Sequence, residues 1–168
     1  YGGSFHDLAA RHFFKKQEID FVCCDSFDEL FDSVQDHSAD VAIMAIENTV
    51  AGSLLPNYSL LNEAGFQIFG EIYLRINQHL MALPGQSIED ITEVYSHHMA
   101  IAQTRVFFKQ YPHIKLIESE DTALSAKHIF DNQIKGAAAI AGQAAADLYE
   151  LDVISGSIET NKKNYTRF

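Results

Sequence analysis

The chain ends on Asn164-Tyr165-Thr166-Arg167-Phe168, which sets a hydroxyl, a guanidinium and an aromatic ring at its last three positions. Termini usually fray and tolerate change, so such a cluster points to a working site, to a strand held in a sheet, or to both. A second concentration is Glu47-Asn48-Thr49, which closes the apolar run "VAIMAI". An acid, an amide and a hydroxyl in a row cannot all be helix caps, and loops at strand ends are where function collects. In open α/β sheets ligands bind beyond the carboxyl ends of strands, where helix N-termini and backbone amides are free. That rule adds Ser4-Phe5, Ser96-His97 and Asp121-Thr122. Taken singly, a Ser or Asp in such a place is an ordinary cap.

Other chemistries lack their signals. Eight histidines, His97-His98 among them, invite a metal, but neighbouring residues seldom share one ion, and neither HExxH nor CxxC spacing occurs. No metal is expected. There is no GxGxxG and no phosphate-binding loop, so no nucleotide cofactor is expected, and the GxSxG elbow of acyl-transfer hydrolases is missing. Twelve Lys and Arg against 23 Asp and Glu give a formal net charge of -11. That field repels nucleic-acid backbones and anionic membrane surfaces, so neither is an expected partner. A local pocket of amides and one Arg can still hold an anionic metabolite. Cys23 and Cys24 are adjacent, a poor geometry for a disulfide, and read as free thiols in a reducing compartment. No apolar stretch approaches a membrane span and no basic-then-apolar leader opens the chain, so cytoplasm is the expected location.

The elements that must position these residues alternate strand and helix. Gly2-Gly3 leads into a helix capped by Ser4, with Leu8, Ala9 and Phe13 on its buried side. In α/β chains such a loop follows a strand; none precedes it here, and the abrupt ends read as those of a fragment. "IDFVCC" reads as a short buried strand and "SFDELFDSVQDH" as a helix capped by Ser26. "DVAIMAI" reads as a central parallel strand, a helix spans about 57–63 up to Gly65, and "FQIFGEIYLRI" alternates like a half-buried strand. A second series starts at "QHLMALP". "EVYS", "IKLIES", "GAAAIA" and "DVISGSI" read as strands, with helices in "SIEDI", "HMAIAQTRVFFKQY", "DTALSAKHIFDN" and "GQAAADLYEL" between them. Two such series in 168 residues predict two lobes joined by strands.

Taken in order, these loops resemble the prephenate dehydratase catalytic domain over essentially the whole sequence. The family's Gly-Thr-Phe-Ser loop appears as Gly3-Ser4-Phe5-His6, and its Pro-x-Glu-Asn-Ser-x-x-Gly segment as Ala45 to Gly52. His79 takes the place of the hinge-strand His. "VYSHHMAIAQT" places Ser96, His97 and Gln103, "EDTALSA" places Asp121 and Thr122, and Asn164-x-Thr166-Arg167-Phe168 matches the closing signature. The departures are Ser4 for Thr, Thr49 for Ser, His98-Met99 for Pro-Gln and Glu159 for Asp. The first two keep a hydroxyl.

The resemblance implies a two-lobed α/β fold of the periplasmic-binding-protein type 2 kind with the active site in the interlobe cleft. Residues 1–76 plus 162–168 would form one lobe and 77–161 the other, with "NYTRF" crossing back between them. It implies decarboxylative dehydration of prephenate to phenylpyruvate, water and carbon dioxide, in phenylalanine biosynthesis. Arogenate, the amino analogue, is the alternative substrate, and a non-catalytic anion-binding module of the same fold is the rival class. Thr166 would serve as the acid group, with Asn48 and Gln103 beside it as catalytic partners. Ser4, Phe5, Glu47, Thr49, Ser96, His97, Thr122, Arg167 and Phe168 would bind substrate. Arg167 would either anchor the pyruvyl carboxylate or organise the loop of Glu47. The implied assembly is a homodimer or larger homo-oligomer, with no cofactor and no metal. The regulatory ACT domain that often follows in the family does not occur in this sequence.

Overall fold

In the computed structural model, which describes residues 1–15 and 17–168, contacts divide the chain into two compact units. One contains Tyr1, His6–Arg75 and Asn164–Phe168, the other Gly2–Phe5 and Ile76–Lys163. The architecture is α/β, as the alternation of elements predicts.

The second unit is built on a five-stranded mixed sheet of β4 (His79–Ala82), β5 (Glu93–His97), β6 (Lys115–Ser119), β7 (Ala137–Ala141) and β8 (Asp152–Ser155) in the order β6-β5-β7-β4-β8. Strand β5 runs parallel to both β6 and β7, whereas β4 pairs antiparallel with β7 and β8. All five residues of β7 are buried, which is why "GAAAIA" shows a continuous apolar run with no alternation. Its two faces feed separate cores. Ala137, Ala139 and Ala141 pack with Met81, Ala126 and Ile129. Ala138 and Ile140 pack with Leu80, Val94 and Ile101. The small side chains of β7 let α5 (Thr122–Asn132) and α4 (His98–Phe108) lie close to the sheet. Asp121 caps α5, accepting from the Ala123 and Leu124 amides at 2.8 and 2.9 Å. Gly3 joins this unit with φ 78°, and an added Cβ would lie 2.9 Å from the Ala145 Cα, so backbone conformation and close approach both require glycine there.

The first unit carries α1 (Phe5–Phe14) from His6 onward, α2 (Phe27–Gln35) and α3 (Leu55–Ala64). Ser26 caps α2 as expected, and Gly65 ends α3 in the left-handed region at φ 68°. Its sheet has four very short strands, β1 (Glu47–Asn48), β2 (Gly52–Ser53), β3 (Tyr73–Arg75) and β9 (Tyr165–Arg167), in the order β2-β1-β9-β3, all antiparallel. Two expected strands are corrected here. Neither "IDFVCC" nor "DVAIMAI" forms a ladder; Phe21, Val22 and Val41 are exposed, and the second run reaches the sheet only where the Ile46 amide donates to the Arg167 carbonyl at 2.9 Å. A run of apolar residues states a preference for extended backbone, but a strand also needs a neighbour of matching length to take its hydrogen bonds. "FQIFGEIYLRI" likewise contributes only Tyr73–Arg75 to the ladder.

Candidate active site

Strand β9 lies between β1 and β3 in the first unit's sheet, and its register sets the site. Thr166 lies opposite Asn48 on one side and Leu74 on the other. The Asn48 side-chain amide donates to the Thr166 Oγ at 2.9 Å and to the Asn164 Oδ1 at 2.8 Å. Its carbonyl oxygen accepts the Val50 and Ala51 amides at 2.9 and 2.8 Å. Both faces of the amide are thus engaged, so its orientation is fixed: turning it over would aim NH₂ at two backbone N–H groups. The consequence falls on Thr166, whose oxygen is an acceptor toward Asn48 and whose proton is left to be donated elsewhere. Asn48, Asn164 and Thr166 are all buried. The Thr49 Oγ takes the Tyr165 amide at 2.9 Å and so fastens the same junction.

Side chains alternate across a strand, so Arg167 lies on the face opposite to Thr166. Its Nε and Nη2 reach one oxygen of Glu71 at 2.8 and 2.5 Å, and Nη1 stands 3.5 Å from Glu47. Those carboxylates, Glu71 first, hold the guanidinium charged more firmly than usual. Phe168 is buried, edge-on to the His6 ring at 5.0 Å.

In the second unit, three of the expected site residues, Ser96, His97 and Thr122, lie at the carboxyl ends of parallel strands, whereas Gln103 lies within α4. Ser96 and His97 close β5 in register with Glu118 and Ser119 of β6, beyond which Thr122 opens α5. Ser96 is fully buried and donates to the Ile140 carbonyl at 2.7 Å. The His97 ring caps α4 through the Met99 amide at 3.4 Å; burial and the adjacent His98 push its pKa down, against the opposing pull of Asp121 and Glu118. Gln103 accepts the Thr160 amide on its main-chain carbonyl at 2.9 Å, and its side-chain oxygen lies 3.5 Å from the Gln78 amide nitrogen. Ser4 is buried, and the Phe5 ring lies where a Cβ on Gly142 would meet it at 3.1 Å. His79 accepts the Ser157 amide at 3.3 Å.

Within the first unit the structure therefore gathers Glu47, Asn48, Thr49, Thr166 and Arg167 around one junction of β1 with β9. Within the second it gathers Ser96, His97 and Thr122 at one sheet edge. Sequence reasoning missed Glu71 as a partner of Arg167 and Asn164 as a partner of Asn48. Glu71 carried only the signal of a polar position in an alternating run.

A family model described as "Prephenate dehydratase" matches residues 1–168. The chain belongs to that family. It is 35% identical over 167 residues to arogenate dehydratase 5, chloroplastic, of Arabidopsis thaliana, covering 99% of this chain and 39% of that protein. Among solved structures it is similar to the prephenate dehydratase of Staphylococcus aureus, with TM-score 0.80 and 31% identity over 100% of this chain and 62% of that one. It is also similar to GqqA, described as a novel type of quorum quenching acylase, with TM-score 0.85 and 30% identity over 100% of this chain and 60% of that one. The chain thus spans about two-fifths of the length of that plant relative.

Proposed function

We propose that this chain carries out the decarboxylative dehydration of a prephenate-like cyclohexadienyl acid. The ring carboxylate leaves as carbon dioxide, its bonding electrons enter the ring, and the ring hydroxyl departs and takes up a proton to leave as water. The observation that carries the reading is the polarity of the Asn48–Thr166 bond. A hydroxyl that accepts from an amide is a better donor and a poorer nucleophile. Thr166 is suited to give a hydrogen bond that strengthens as charge grows on the departing oxygen, an electrostatic role of the oxyanion-hole kind. The same polarity argues against acyl transfer by this threonine, because a nucleophile needs a base that takes its proton. Ser96 has its proton on a backbone carbonyl and is no better placed for attack.

In this proposal Thr166, Asn48 and Gln103 act on the departing hydroxyl. Ser4, Phe5, Ser96, His97 and Thr122 frame the substrate, whose side-chain carboxylate suits the start of α5, while Glu47 and Thr49 fasten the β1–β9 junction that carries Thr166. Of the two substrates, arogenate is favoured by the 35% identity to the Arabidopsis arogenate dehydratase. Prephenate stays in view through the 31% identity to the Staphylococcus aureus structure. The two-lobed binding-protein architecture, with the substrate in its cleft, belongs to this proposal too; small-angle scattering that shows no compaction with a substrate analogue would count against it. A homodimer or larger assembly is expected by light scattering.

The test is turnover. The protein is incubated with prephenate and with arogenate, and phenylpyruvate absorbance in alkali and phenylalanine are followed. Product from at least one substrate is expected, with Thr166→Val slower by about 10² to 10³ at nearly unchanged affinity. Binding without turnover would instead support the solute-capture class. Near-normal turnover in Thr166→Val would remove the acid role.

A further inference from the structure

Arg167 invites the reading of an anion anchor, since it neighbours Thr166 in a chain that would bind a dicarboxylate. Its surroundings say otherwise. Arg167 stands directly between Glu47 of β1 and Tyr73 of β3, in register with both. Glu71, two residues before Tyr73, is the diagonal neighbour on that same face. The guanidinium places Nε and Nη2 on Glu71 and turns Nη1 toward Glu47, while its carbon lies 5.9 Å from the centre of the Tyr73 ring. Two carboxylates against one guanidinium leave a local charge of about -1, which repels rather than attracts a substrate carboxylate. The face that holds Thr166, Asn48 and Leu74 is the other one, and period-2 alternation keeps the two faces apart.

We infer that Arg167 is a positioning residue: with Glu71 and Glu47 it ties β1, β9 and β3 together on one face of the sheet and so holds the Thr166 hydroxyl in register with Asn48 on the other. The need for such a tie lies in the length of the strands. Strand β9 has three residues and β1 two, so few ladder bonds specify the pairing. A slip of one residue would turn Thr166 to the wrong face. An isolated exposed ion pair contributes little, but a guanidinium with two N–H groups on one carboxylate and a third toward another forms a network with a defined geometry. The side chain is only about one-third exposed, at 34%.

The kinetic part of this inference rests on the dehydration reading; the structural part does not. Arg167→Ala and Glu71→Ala are expected to lower turnover by similar factors, about 10-fold to 100-fold, with KM within about twofold of the parent. The double variant should be no slower than Arg167→Ala alone, since both changes break one unit. Arg167→Lys, which keeps the charge and loses the fork, should recover little. A KM raised tenfold or more in Arg167→Ala, with Glu71→Ala unchanged in both parameters, would overturn the inference and make Arg167 an anchor for the substrate. Amide hydrogen exchange supplies a readout independent of turnover. Protection of the Phe168 amide, which donates to the Ile72 carbonyl at 2.9 Å, should fall in both single variants. Unchanged protection in both would also overturn the inference. If the parent turns over neither substrate, the dehydration reading fails and the exchange result still decides whether the tie exists.

Discussion

The two sheets of this molecule solve different problems. In the second unit β7 is buried on both faces, its neighbours β4 and β5 are four and five residues long, and Leu80, Ala138, Ala139, Ile140 and Ala141 show no exposed surface. Its order comes from burial, so its side chains are chosen for volume. In the first unit the strands are two or three residues long, and Ile68, Phe69 and Tyr73 are well exposed. What is buried at the centre of that sheet is a polar cluster, Asn48, Asn164 and Thr166. A polar cluster removed from water is tolerable only when its groups satisfy one another, which makes it demanding in geometry and poor in hydrophobic stabilisation. Damage to the first sheet should therefore cost activity before stability, and damage to the second should do the reverse.

The sharpest way to break that contrast is Asn48→Asp. The carboxylate would face the Thr166 oxygen as an acceptor and draw its proton inward, away from a departing hydroxyl. Turnover should fall by about 10² to 10³ with a cooperative unfolding transition retained; steady-state assays beside urea titration check it. Next comes Ile140→Ala, in the middle of β7. Lost transfer free energy and the cavity left behind should destabilise by about 2–5 kcal/mol, while kcat of the folded fraction stays close to the parent. Asp121→Ala is smaller: the two amides it caps lose their acceptor, for about 1 kcal/mol, read as a shift in urea midpoint at constant slope.

The smallest expected effect is a pH slope. Burial holds the His79 imidazole below its ordinary 6.5, against the opposing charge of Glu159. His97 is lowered as well, mainly by burial. A lowered folded pKa means the unfolded chain binds the proton more readily. Stability should then be fullest above about pH 6.5 and fall as pH drops through that value toward the lower folded pKa. His79→Asn should flatten the decline, and an unchanged slope would place its origin elsewhere.

The caps Ser26 and Asp121, the αL stop at Gly65 and strands β5 to β8 of the second sheet were legible because their signals are local: a side chain bonds amides two or three residues on, or a short apolar run lies between turns. The extended runs at 19–24 and 40–46 were misjudged because pairing is a property of two segments. Asn48 and Thr166 could each be singled out from residue type and place, and the order of motifs along the chain was enough to name the family.

What composition and pattern determined by themselves is thus the α/β class, most helix boundaries and the residue types able to do chemistry. Which groups meet follows from the fold of the whole chain. The 2.9 Å bond between Asn48 and Thr166 spans a sequence separation of 118, and the Arg167–Glu71 pair one of 96. A hydrogen bond acts over about 3 Å, so its partners are fixed by how strands are brought side by side, and no feature of either segment alone encodes the distance between them.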